Sequence, residues 1–139
     1  MKEININGFQ ETIIERSDYP PERCKDILDH ETTAILVYGT QGRGQGFYMR
    51  DQGFNVVLGV RPGRSWDKAL ADGWVAGENL FEMEEAAQKG TILQYLVSDA
   101  AQIALWLMVK DSLKDGDGLY FSHGFGIVFK EQRKKVQHG

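Results

Sequence analysis

A chain of 139 residues is long enough to bury about two-thirds of the surface its unfolded form exposes. Its net charge of −4 gives no general attraction for nucleic acid or an anionic membrane, and its single cysteine, Cys24, cannot close an internal disulfide. The opening residues MKEININGFQ lack the apolar core of a signal peptide, and the most apolar stretch, Ile103 to Val109, is far too short to span a bilayer, so a soluble, cytoplasmic protein is expected.

Residues 3–16 show weak strand-like alternation. Tyr19-Pro20-Pro21 interrupts it, and Pro21 is placed to open a helix running to about Leu28. Thr33–Val37 reads as a buried strand, Gly42–Asp51 as a helix stopped by Gly53, and Asn55–Val60 as a second, valine-rich strand. The loop Arg61-Pro62-Gly63-Arg64-Ser65 leads to a helix over Trp66–Ala71. Asn79 is expected to cap a short helix through Gln88, and Thr91–Val97 is a third strand. Ser98 or Asp99 caps a helix ending near Leu113; Gly118–Ser122 is a fourth strand and Gly126–Phe129 a short fifth.

Apolar strands alternating with helices are the pattern of βαβ units around a parallel sheet. Strands buried on both faces read as continuous apolar runs, as these do. The fold class is therefore α/β: a Rossmann-like parallel sheet of four to five strands flanked by helices. No internal repeat, low-complexity segment or linker interrupts the chain, so residues 1–139 are expected to form one domain.

The segment VYGTQGRGQG, residues 37–46, sits in the first βα turn, where open α/β sheets keep their ligand crevice. Gly39 and Gly42 keep the register of a G-x-G-x-x-G fingerprint, but its first position is Val37. Two readings are open: a backbone cradle for a phosphate at a helix N-terminus, or a turn that needs glycine for its own geometry. Val37 argues against binding, because a β-branched residue is not expected to adopt a glycine-only conformation and would crowd a nucleotide.

About twenty residues past the glycines, NAD sites carry an acid for the ribose 2′-OH. Here Leu58-Gly59-Val60-Arg61 holds none, and Arg61, Arg64 and Ser65 cluster instead. They suit a 2′-phosphate, or are ordinary surface residues; the adjacent glycine turn favours the phosphate. Ser98-Asp99-Ala100-Ala101-Gln102 follows the third strand as a helix cap or a crevice segment, and Ser122-His123-Gly124 follows the fourth. His30 and His138 have no neighbours at ligand spacing, and no metal site is identified.

With those residues placed, the chain resembles the N-terminal domain of ketol-acid reductoisomerase, an NADPH- and magnesium-dependent family of branched-chain amino-acid synthesis. The matching stretches are YGTQGRGQ (38–45), MRDQGFNVVLGVR (49–61), SWDKALADG (65–73), LVSDAAQ (96–102) and LYFSHGFGI (119–127). The resemblance implies that Tyr38, Gly39, Thr40, Gln41 and Gly42 contact the pyrophosphate and ribose of NADP(H). It implies that Arg61, Arg64 and Ser65 hold the 2′-phosphate, and that Ser98, Asp99, Ala100, Ala101 and Gln102 line the nicotinamide side. His123 would be the active-site histidine.

The sequence departs from the family at Val37, where glycine is usual, and in a loop about one residue short after the second strand. The family's helical, magnesium-binding half is not recognised in the residues after Phe129, Lys130–Gly139. The resemblance thus implies a cofactor-binding domain, truncated relative to the full family domain and not catalytically complete alone. Magnesium enters only if a partner chain supplies its ligands. A non-enzymatic paralogue kept for partner contact or regulation, and a small NADPH-dependent reductase using His123, are the alternatives. A sheet edge left uncovered would favour a homodimer.

Overall fold

Asn7 and Gly8, with φ of +50° and +87°, make the two-residue turn that folds the N-terminus back on itself. The structure is a computed structural model that describes residues 1–122. Strands β1 (Lys2–Ile6) and β2 (Phe9–Ile13) pair antiparallel, with Ile6 opposite Phe9. A 3-10 turn at Arg16–Asp18 follows, then α1 (Pro21–Leu28), with proline at its first position as expected. These elements belong to one compact unit, Met1–His30; a second begins at Glu31.

The second unit alternates strand and helix: β3 (Thr33–Leu36), α2 (Thr40–Asp51), β4 (Val56–Gly59), α3 (Arg64–Ala71), β5 (Leu80–Phe81), α4 (Met83–Lys89), β6 (Ile92–Tyr95), α5 (Asp99–Asp111) and β7 (Gly118–Tyr120). Among the described residues its five strands are all parallel, in the order β5-β4-β3-β6-β7. The chain moves outward from β3 to β5, then crosses back over α4 to place β6 on the other side of β3. The carboxyl ends of β3 and β6 are therefore the switch point where the crevice of such a sheet opens.

Strict alternation along the strands sorts the core into two layers. Ala34, Leu36, Val57, Leu93 and Tyr95 pack with Met83, Ala86 and Ala87 of α4 and Leu105, Trp106 and Val109 of α5. Ile35, Val56, Leu58 and Leu80 pack with Ala69 of α3, Tyr38 and Trp74. Both faces of β3 and β4 are covered, which is why these two strands are almost wholly apolar, whereas β6 carries Gln94 and β7 exposes Leu119 and Tyr120.

Three expectations change. Asn79 caps no helix: its Oδ1 accepts from the Val75 N–H at 2.7 Å, closing a turn before the unforeseen strand β5, and Glu82 is the N-cap of α4. Helices α2 and α3 each begin two residues earlier than their sequence patterns indicate, at Thr40 and Arg64. Val37 does adopt a left-handed conformation, with φ of +81°. The strand expected at Gly126–Phe129 lies outside the described residues.

The early start of α2 puts Gly42 in its first turn, where a Cβ would lie 2.1 Å from the Val37 carbonyl oxygen. Gly42→Ala must therefore displace backbone, and a loss of about 1–3 kcal/mol is expected in urea denaturation, the usual scale for overpacking. Val37→Gly should be nearly neutral. Relief of about 1–3 kcal/mol of strain is opposed by about 0.5–1 kcal/mol of glycine entropy and about 1 kcal/mol of lost valine burial.

Candidate functional site

A cleft of about 320 Å³ opens at the carboxyl ends of the strands, lined by Val37, Tyr38, Val60, Arg61, Pro62, Arg64, Ser65, Met83, Ala101 and Leu105. One wall is Val37 and Tyr38, the residues between β3 and the glycine turn, and another is the Arg61–Ser65 loop after β4. The first residue of α4 and two residues of α5 complete it with apolar surface. Three of the sequence segments singled out as crevice-facing thus converge, although Tyr38 and Ala101 are 63 residues apart in the chain.

The N-terminus of α2 carries Gly39 at its cap position, with no side-chain oxygen bonded to its first amides. Gly39 presents open space: a Cβ there would meet nothing within 4 Å. Uncapped amides at the positive end of a twelve-residue helix attract a phosphate. Gly63, the N-cap of α3, likewise offers no side-chain bond, so Arg64 and Ser65 lie in the first turn of a helix as well as beside Arg61. Two guanidinium groups, a hydroxyl and helix amides thus lie at one exposed edge, the kinds of group that pair with a dianion. Position 59, where a ribose-binding acid would stand, is packed shut: a Cβ on Gly59 would be 2.8 Å from both Ala86 Cβ and Leu36 Cδ2.

Beneath the turn lies a polar network that no sequence motif announces. Tyr38 is buried, with 3% of its surface exposed, and its hydroxyl donates to Asp72 Oδ2 at 2.7 Å. Arg43 grips the same carboxylate through Nε (2.8 Å) and Nη2 (3.1 Å), and Trp74 Nε1 donates to the Tyr38 hydroxyl at 3.2 Å. Arg50, stacked over Phe47 and Trp74, donates to the Asp72 carbonyl at 3.1 Å. The Arg43 and Tyr38 hydrogen bonds hold the Asp72 carboxyl down to about 2, and burial with the Asp72 bond holds the Tyr38 hydroxyl up. Tyr38 therefore stays a donor and Asp72 a charged acceptor at neutral pH.

Ser98 caps α5, as one of the two expected alternatives has it, its Oγ accepting from the Ala101 N–H at 3.4 Å. Asp99 and Ala100 are exposed; of residues 98–102, Ala101 lines the cleft. Gln102 is turned inward, donating from Nε2 to the Val97 carbonyl and accepting at its own carbonyl from the Tyr95 hydroxyl at 3.0 Å. Burial holds the Tyr95 hydroxyl above its ordinary range, so it too remains a donor. His123 lies outside the described residues. Among those described, no three His, Cys, Asp or Glu side chains gather as metal ligands, and no helix is long and apolar enough to cross a membrane.

Arg43 and Asp72 carry no motif that marks them as a pair. Arg43 does stand four residues after Gly39, and its N–H bonds the Gly39 carbonyl at 2.9 Å, a position within the glycine segment that hints at a role in the turn.

A doubly wound parallel sheet with a glycine turn at its switch point and a cationic loop on the next strand defines a dinucleotide-binding domain. Residues 27–138 match the model of the NADPH-binding domain of acetohydroxy acid isomeroreductase, and the chain belongs to that family. It is 48% identical over 135 residues to a probable mitochondrial ketol-acid reductoisomerase of Schizosaccharomyces pombe, covering 96% of this chain and 33% of that protein. It is 47% identical over 133 residues to the ketol-acid reductoisomerase (NAD(+)) of Desulfosudis oleivorans, covering 95% and 38%. The solved structure of an NADH-preferring ketol-acid reductoisomerase from an uncultured archean aligns with a TM-score of 0.68 at 36% identity, over 78% of this chain and 33% of that one. The chain thus spans about a third of the length of the curated relatives it matches.

The folded Asp72 carboxyl titrates below its ordinary value of 3.8, so its contribution to stability is present at neutral pH and is lost as pH falls toward about 2. The difference in Tm between wild type and Asp72→Asn should be constant above about pH 5 and shrink as the pH drops below 4. Thermal melts followed by circular dichroism check this; a gap independent of pH would remove the carboxylate from the account.

Proposed function

We propose that this chain holds NADP(H) in the cleft and presents the nicotinamide to a ketol-acid reductoisomerase reaction. The observation that carries the reading is the meeting, in one cleft, of Val37 and Tyr38, which lead into the uncapped N-terminus of α2, with Arg61, Arg64 and Ser65 around the start of α3. The residues fit the cofactor. Gly39 leaves room for an approaching phosphate, and Gly42 lets the turn close on its own carbonyl. In this reading Thr40, Gln41 and Gly42 bind the pyrophosphate through backbone amides. Tyr38, its side chain committed to Asp72, supports the turn from below. Arg61, Arg64 and Ser65 bind the 2′-phosphate. Of the 98–102 segment, Ala101 borders the nicotinamide, and with Leu105 it excludes water.

When bound, the cofactor supplies a hydride. His123 is proposed to hydrogen-bond a substrate oxygen or shuttle its proton. The described residues gather no ligand set for a divalent metal, so the family's metal-dependent alkyl migration is assigned to none of them. The metal's ligands, in this reading, come from residues beyond those described or from a separate helical chain. A homodimer through the β7 edge, which pairs only with β6 among the described residues, is the proposed assembly. A cytoplasmic location stands beside a mitochondrial one, the compartment named for the fission-yeast relative; subcellular fractionation separates them.

The names of two relatives bring in a second reading, NADH as the preferred cofactor. The cationic edge of the cleft opposes it. NADPH should bind more tightly than NADH by about 1–3 kcal/mol, the scale of charge-assisted hydrogen bonds. Arg64→Gln should erase most of that difference by weakening NADPH alone. Nucleotide-fluorescence titration with both cofactors tests this, and equal wild-type affinities would favour the second reading. Val37→Gly should tighten both cofactors alike by clearing a methyl pair from the cleft wall; unchanged binding would mean that the valine is accommodated.

A further inference from the structure

Val37 stands at a φ of +81°, a conformation that valine enters only when its surroundings impose it. On one side its N–H is bonded to the Gly59 carbonyl at 2.8 Å, which ties it to β4. On the other side the chain is held through the side chain of Tyr38. That ring is buried edge-on against Trp74, with centroids 6.5 Å apart at 79°, and its hydroxyl ends on Asp72. Asp72 simultaneously holds the first turn of α2 through Arg43 and the last turn through Arg50. One residue at the end of α3 therefore grips the fingerprint turn and both ends of the helix that the turn opens.

The same geometry commits the Arg43 guanidinium to Asp72. Water screens the ion pair from the Arg43 side, where the side chain is 44% exposed against 16% for Asp72. Its effect is on orientation. Resting on the cofactor reading above, we infer that Asp72 is a positioning residue for the pyrophosphate, locking Tyr38 and Arg43 so that Val37 stays left-handed and the α2 N-terminus points into the cleft. It touches no part of the nucleotide. Because both cofactors share the pyrophosphate, the lock raises affinity for NADPH and NADH equally, whereas Arg61, Arg64 and Ser65 choose between them.

The test uses the full chain with NADPH and NADH as probes. If the competent turn falls to about one-tenth of the population in Asp72→Ala, both dissociation constants rise about tenfold and their ratio is unchanged. Tyr38→Phe keeps the buried ring and removes the hydroxyl, so it should fold and weaken both cofactors in the same ratio. The double variant should be no weaker than Asp72→Ala alone, because both act through one lock. In nucleotide-free protein, amide exchange of Val37 and Arg43 should quicken in both variants, a readout independent of binding. Wild-type affinity in folded Tyr38→Phe and Asp72→Ala, or loss of NADPH binding with NADH spared, overturns the positioning role. Should Asp72→Ala not fold, Tyr38→Phe decides alone. A wild-type chain that binds neither nucleotide overturns the cofactor reading, and unchanged exchange at Val37 and Arg43 then overturns the lock separately.

Discussion

The carbonyl oxygen of Val37 occupies the place where residue 42 would carry a side chain, 2.1 Å from an ideal Cβ. That contact sets the start of α2. With Gly42 in its first turn, the helix begins at Thr40, with only three residues between it and the end of β3 at Leu36. The chain reverses so tightly that Val37 is driven to positive φ, at a cost of about 1–3 kcal/mol. Burial of Tyr38 and Ile35, the Val37 bond to Gly59 and the Asp72 network offset it. The result is a helix N-terminus delivered to the rim of the sheet rather than set back from it.

The rest of the site follows from that placement. The parallel sheet turns back on itself beside β3, leaving a gap above β3 and β6 that no crossover helix fills. Met83 and Leu105 make its apolar wall, and Arg61, Arg64 and Ser65 its cationic rim. The arginines divide by task according to their partners. Arg43 and Arg50 are turned toward Asp72 and hold the scaffold, while Arg61 and Arg64 face the cleft. A −4 chain can thus gather cationic side chains at one cleft without a basic surface overall.

Much of the fold is legible in the sequence because buried parallel strands leave an unambiguous mark. Thr33–Leu36, Val56–Gly59 and Ile92–Tyr95 all fall inside runs recognisable as strands. Helix starts are less legible. Arg64 and Ser65 look like loop because glycine and proline precede them, and their helix begins without a side-chain cap to announce it. Strand β5 escapes a sequence reading because two residues, Leu80–Phe81, carry no periodicity; they are a strand through pairing with Leu58 and Gly59. Of the cleft, Tyr38, Arg61, Arg64, Ser65 and Ala101 are recognisable from sequence, while Val60, Pro62, Met83 and Leu105 are not. An apolar side chain at a strand end looks the same whether it faces a core or a ligand.

The sequence by itself determined the α/β class, the position of the glycine turn and the absence of an acid on the second strand of the sheet, because each depends on neighbours a few residues apart. It also sufficed to identify the family, through motifs spread along the chain. Tertiary structure alone decided that Val37 would yield to a glycine's conformation and that Tyr38 would point inward. It alone made Asp72 the partner of both Tyr38 and Arg43, which lie 34 and 29 residues away. Local preference disfavours valine at positive φ. That preference is worth only a few kcal/mol, and the packing of α2 against β3 and β4 exceeds it.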